Sequence, residues 1–119
     1  MDANTINNIT FLAQSVINKE KAARDTLAKS LTDMTRGVEP SAMRRVMEMA
    51  AEALPYRMLL EDAEGGDFEK AFTTLRKRLT RQLLTTGPSS STCQLTNEAE
   101  RLRLDGYRAF LSATDDYLA

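Results

Sequence analysis

Apolar residues recur every three or four positions through most of this 119-residue chain, and the pattern is broken at Gly37 to Pro40, Gly65-Gly66 and Gly87-Pro88. A period near 3.6 is that of an amphipathic helix, and no alternation of period two is long enough to suggest a strand. The spacing predicts an all-α fold, a four-helix bundle-like single domain over residues 1–119, with helices near 5–35, 41–62, 67–86 and 96–117 and a flexible loop over 87–95. Connections this short let sequential helices lie antiparallel, so an up-and-down arrangement is the simplest expectation.

In the first helix Ile6, Ile9, Ala13, Val16, Ala23, Leu27, Leu31 and Met34 share one third of the helical circle. Glu20 is the one polar residue in this seam, and a buried ion pair with an arginine of another helix is its expected state. About 30 residues at 1.5 Å rise extend roughly 45 Å, so this helix either protrudes from the domain or pairs with a second copy in a dimer. Phe11 lies well off the seam and is a candidate oligomer contact.

The second helix places Met43, Val46, Met47, Ala50 and Leu54 on its expected core face, with Met49 off that face as a candidate for partner contact. Pro55 lacks a backbone donor and is expected to kink or end the helix before a further turn or two to Ala63. Asp67 is the expected N-cap of the third helix, whose apolar face is Phe68, Ala71, Phe72, Leu75, Leu79 and Leu83. The fourth helix, with Thr96 or Asn97 as expected cap, repeats the small residues Ala99, Gly106 and Ala113 every seven positions between Leu102, Phe110 and Tyr117. Small residues at one level of a seam let two helices approach closely. Its second apolar row, Leu104, Tyr107, Leu111 and Leu118, is expected to meet another helix of the same chain; a homodimer interface is the alternative.

Composition narrows the chemistry more than the fold. Hydrophobic residues at 42% and charged residues at 28% are ordinary for a globular domain, and a net charge of -1 provides no global field to attract nucleic acid or anionic lipid. One cysteine, Cys93, forms no internal disulfide, and no secretion signal opens the chain, so a cytoplasmic setting is expected. No apolar run approaches the roughly 20 residues needed to span a bilayer. Histidine is absent, which removes the commonest general base and zinc ligand. Ser89-Ser90-Ser91 is expected to be a linker, Gly65-Gly66 a turn without a P-loop lysine, and Glu61-Asp62 and Asp115-Asp116 solvated pairs that diverge by about 100° on a helix. No enzyme, no cofactor and no metal site is expected.

The remaining feature is electrostatic. From Asp67 to Thr86, Lys70, Arg76, Lys77, Arg78 and Arg81 face two acids, a local +3, whereas Gly37 to Gly66 holds three basic and six acidic residues, a local -3. A soluble helix must put charge on its outer face, which is the simplest account of this row; it also suits a phosphate backbone or an acidic protein. The leading functional reading is a small non-enzymatic cytoplasmic interaction or regulatory accessory protein that binds another protein, or itself, through helix faces. The alternative is a nucleic-acid-binding regulator using Lys70, Arg76, Lys77, Arg78 and Arg81.

Overall fold

Local chemistry starts the helices where side chains can accept the first free amides. Asp2 takes the Thr5 amide on Oδ1 at 2.8 Å, and this bond holds its carboxyl below the usual carboxylate range. Asp67 does the same for the Lys70 amide at 3.0 Å. The structure, a computed structural model, describes residues 1–32, 40–85 and 94–117, without the side chains of 94–96. Its helices are α1 (Ala3–Thr32), α2 (Pro40–Ala63), α3 (Phe68–Thr85) and α4 (Gln94–Thr114), followed by a 3-10 turn, Asp115–Tyr117. Pro40 opens α2, where its fixed φ suits the first turn and its missing donor leaves nothing unsatisfied. Gly66 closes the turn after α2 at φ 122°, a conformation that side-chain-bearing residues avoid. The expected loop over 87–95 falls largely outside the described residues, but α4 starts at Gln94, so Thr96 and Asn97 lie within its first turn and neither is the residue before it.

All four helices contribute to one buried cluster: Ile9, Ala13 and Val16 from α1, Ala53, Tyr56 and Leu59 from α2, Phe72, Leu75 and Leu79 from α3, and Tyr107 and Phe110 from α4. The hub is α2, which packs against each of the other three. Glu20 joins α1 to α2: only 1% exposed, it is paired with Arg57 of α2 and, at 2.6 Å, with Arg24 one turn along α1. A carboxylate this deep is tolerable because both oxygens are matched by guanidinium groups. The seam of α1 is buried as far as Ala23, whereas Leu31 is exposed and Met34 lies outside the described residues. Thirty residues at 1.5 Å rise account for most of the 52 Å long axis.

The neighbours α2 and α4 run in the same direction, because Arg44 meets Glu98 at 3.0 Å, Ala51 meets Gly106, and Tyr56 meets Phe110 with ring centroids 5.0 Å apart. Gly106 sits where the heptad of small residues predicts a close approach. A Cβ built there would lie 2.4 Å from the Ala51 carbonyl oxygen and 2.8 Å from its carbon. Pro55 lies four residues after Ala51 and has no amide hydrogen, so that carbonyl lacks its regular helical donor. A Cα–H of Gly106 points at the oxygen instead, a weak but favourable contact. Of the two outcomes expected at Pro55, a kink or an end, the end is not what is found: α2 is continuous through a buried Pro55, as the single helix expected near 41–62 requires, and the carbonyl that proline frees is covered by α4.

A second correction concerns which side of α2 is inside. The buried residues are Ala53, Pro55, Tyr56 and Leu59, whereas Met43, Met47 and Leu54 of the expected core face are exposed and Val46 and Ala50 are half-buried. The helix is apolar on two sides, and periodicity could not tell which one the chain covers.

Replacing Gly106 with Ala should lower stability by about 1–3 kcal/mol, in spite of a helix-propensity gain near 1 kcal/mol, because α2 and α4 must separate. In a Pro55→Ala background, where Ala51 regains an amide donor and its carbonyl can turn inward, the Gly106→Ala penalty should shrink. Urea denaturation of the two single variants and the double variant measures this coupling, and strict additivity would count against the contact described.

Candidate interaction faces

Four faces carry the residues singled out by the sequence. The second row of α4 is turned inward: Tyr107 is buried in the core cluster, and Leu104 and Leu111 pack against it half-buried. These three side chains are used within the chain, as the packing of α4 against both α2 and α3 requires. Leu118 lies outside the described residues. Phe11, by contrast, is 75% exposed on the outer side of α1, beside a shallow hollow bordered by Gln14, Ser15, Asn18 and Ala22.

The basic residues of α3 divide into two groups. Arg76 is drawn into the structure, its side chain only 13% exposed. It donates to the Leu111 carbonyl at 2.9 Å, to Thr114 Oγ1, and to Asp115 Oδ1 at 3.1 Å, and its guanidinium carbon lies 5.8 Å from the centre of the Phe72 ring. It therefore caps the C-terminal end of α4, where carbonyls lack helical partners and a cation is favoured. Lys70, Lys77, Arg78 and Arg81 are exposed, and none has a carboxylate partner among the described residues. The exposed Thr73 and Thr74 lie between Lys70 and Lys77 along a shallow concavity that Asp67 and Glu69 also line. Elsewhere arginines are mostly matched, as Arg44 is to Glu48 and Glu98, Arg101 to Glu98 and Arg108 to Asp105. The outer side of α3 is thus a positive row whose cations form no ion pair among the described residues, with Asp67 and Glu69 at its N-terminal end.

The face that sequence periodicity assigned to the core is the outer side of α2. Met43, Met47 and Leu54 are 53%, 42% and 38% exposed. With Ala50 they follow steps of four, three and four residues, which keeps them in one line along the helix. Met49, expected off the core face as a partner contact, is half-buried, so the exposed thioethers of α2 are those of Met43 and Met47. The two arginines that border the line, Arg44 and Arg57, are each bound to carboxylates of their own chain.

On the opposite, buried side of α2, Tyr56 is 2% exposed, and burial, with Glu52 and Tyr117 as further contributors, pushes its phenol up to about 12. Among the described residues no three of Cys, Asp and Glu come together to hold a metal ion, and no helix is long and apolar enough to cross a membrane. Cys93 and Ser89-Ser90-Ser91 lie outside the described residues. The chain matches no protein-family model, no curated protein and no solved structure.

The Tyr56 phenol gives a pH signature. Its folded pKa is raised above the ordinary value of 10, so between pH 10 and about 12 the unfolded chain loses a proton that the folded chain retains, and stability falls as pH rises through that window. Up to about 2 kcal/mol should be lost, and Tyr56→Phe should remove this part of the decline. Urea midpoints measured from pH 9 to 12 for both proteins test it; parallel declines would contradict the assignment.

Proposed function

We propose that this protein is a non-enzymatic cytoplasmic accessory protein that works by binding another protein through a helix face, and that the outer side of α2 is the docking surface. The observation that carries this reading is the line Met43, Met47 and Leu54, which has core spacing and stays exposed among the described residues. Methionine suits such a surface because its unbranched, polarisable side chain adapts to an irregular partner. A helix that is apolar on two sides is ordinarily buried on both, and α2 has one of them open. Leu54→Glu and Met47→Lys place charges on this line at exposed positions outside the buried cluster. They should leave the helical circular dichroism and the melting temperature within a few degrees of the parent. Recovery of a specific partner from source-cell extract, identified by mass spectrometry, should drop at least tenfold for both variants. Equal recovery by parent and variants would remove the α2 face from the function.

A second reading, in which the outer face of α3 contacts a nucleic-acid backbone, is favoured by one observation: the unpaired row Lys70, Lys77, Arg78 and Arg81 with exposed threonines between its cations. Phosphate contacts release counterions, so four of them predict an affinity that falls with salt at a log–log slope of roughly -3 to -4. Fluorescence anisotropy with generic DNA and RNA should show this slope, and Lys77→Glu with Arg81→Glu should abolish binding. Absence of binding at low salt would exclude the reading.

A further inference from the structure

We propose, resting on the nucleic-acid reading of α3, that the outer face of this helix takes double-stranded DNA by its phosphate backbone and without regard to base sequence. The face is built from hydrogen-bond donors. Lys70, Thr74, Lys77 and Arg81 lie in one line on the side of the helix opposite the buried Phe72, Leu75 and Leu79, with Arg78 beside the line. At 1.5 Å rise per residue the line is roughly 17 Å long. The hydroxyls on this face are free as well as the cations. Thr80 and Thr85 donate to the carbonyls of Arg76 and Arg81 one turn back, whereas the hydroxyls of Thr73 and Thr74 have no hydrogen-bond partner among the described residues. The matching ligand accepts several hydrogen bonds and carries negative charge at short intervals, as a phosphodiester backbone does.

The other side chains of α3 decide among polyanions. Single strands are held by stacking their bases on exposed aromatic rings, but Phe72 is fully buried and Phe68 packs against the core, so the face suits a duplex, whose bases are already stacked. The exposed aliphatic of α3, Leu84, lies beyond Arg81, and the line itself holds no apolar side chain of the kind that anchors a protein partner or enters a lipid surface. Duplex RNA is recognised across two successive minor grooves over about 16 base pairs, a reach well beyond this row, whereas a row of roughly 17 Å lies along about five base pairs of DNA.

The acids set the pose. A helix that reads base edges enters the major groove with its N-terminal residues foremost. The N-terminal end of α3 carries Asp67 and Glu69, which the phosphates on either side of a groove repel. The helix therefore lies on the backbone by its later turns, with Thr74, Lys77, Arg78 and Arg81 nearest the phosphates and Lys70 further off. Contacts of this kind fix position on the duplex and carry no sequence information.

Fluorescence anisotropy at about 50 mM salt, with two DNA duplexes of unrelated sequence, one of their single strands and an RNA duplex of equal length, tests this. The two DNA duplexes should bind within about twofold of each other, and the single strand and the RNA about fivefold or more weaker. Thr74→Val keeps the charge and should weaken DNA binding about threefold with the salt slope unchanged, whereas Lys77→Ala should reduce that slope by roughly one. Glu69→Gln removes a neighbouring negative charge and should tighten binding. All three positions are exposed, so the helical circular dichroism should match the parent. Single strand or RNA bound as tightly as the DNA duplex, or a preference of about tenfold between the two duplexes, overturns the proposal and leaves nucleic-acid binding by α3 standing. DNA binding that is indifferent to Thr74→Val, Lys77→Ala and Glu69→Gln overturns this face as the contact, and no binding by any probe overturns the nucleic-acid reading with it.

Discussion

Everything in this molecule is arranged around the contact between Gly106 of α4 and the backbone of α2 at Ala51. The absence of a side chain at Gly106 brings the two helices close enough that a single Cβ would overlap a carbonyl. Pro55 makes the same site chemically coherent, because it deprives that carbonyl of its helical amide and α4 covers it with a Cα–H. Glycine and proline are both poor residues for a helix interior, and here each compensates for the other. The close approach also sets the neighbouring layers: Tyr56 meets Phe110 edge to face one turn on, with an interplanar angle of 73°, and Phe72 of α3 meets Phe110 from another side.

With α4 drawn against α2, the rest of the fold is constrained. The side chain of Arg76 crosses from α3 to cap the end of α4, so one member of the basic row has a structural task and four remain outside. On the far side, Glu20 ties α1 to α2 through Arg57, matched by charge at a point where the seam has no apolar side chain. The result is a helix, α2, contacted by the other three α-helices yet left open, among the described residues, along one apolar line. Four helices of this length surround a common core without closing on all sides of the hub. Phe11, Leu31 and Leu84 are more exposed one by one, but the open line is where three exposed apolar side chains follow one another on one helix face, and on this rests the chain's proposed role as an interaction protein.

Much of this was legible in the sequence. Four helices, their order and their approximate limits follow from 3.6-residue periodicity interrupted by glycine and proline. Asp67 as a cap, Glu20 as one half of a buried ion pair and Gly106 as a close-approach position each follow from a local physical rule, and the structure places each accordingly. The core of α3 is also where the periodicity puts it, with Phe72, Leu75 and Leu79 fully enclosed. For the proposed binding surface the sequence supplied the right residues with the wrong environment: Met43, Met47 and Leu54 were legible as an apolar line, and a line of that kind looks the same whether it is destined for the core or for a partner.

What the sequence determined by itself is therefore everything that depends on spacing along one helix, since the positions that share a face are fixed by helical geometry before any packing occurs. What only the tertiary structure decided is which of two competent faces is turned inward. On α2 the Gly106 contact and the Glu20–Arg57 pair fix the rotation of the helix, bury Ala53, Tyr56 and Leu59, and leave Met43, Met47 and Leu54 outside. On α4 the same contact, with α3 packed beside it, takes Leu104, Tyr107 and Leu111 into the core. Both choices depend on how closely two backbones can approach, a property of a pair of helices that neither helix encodes alone.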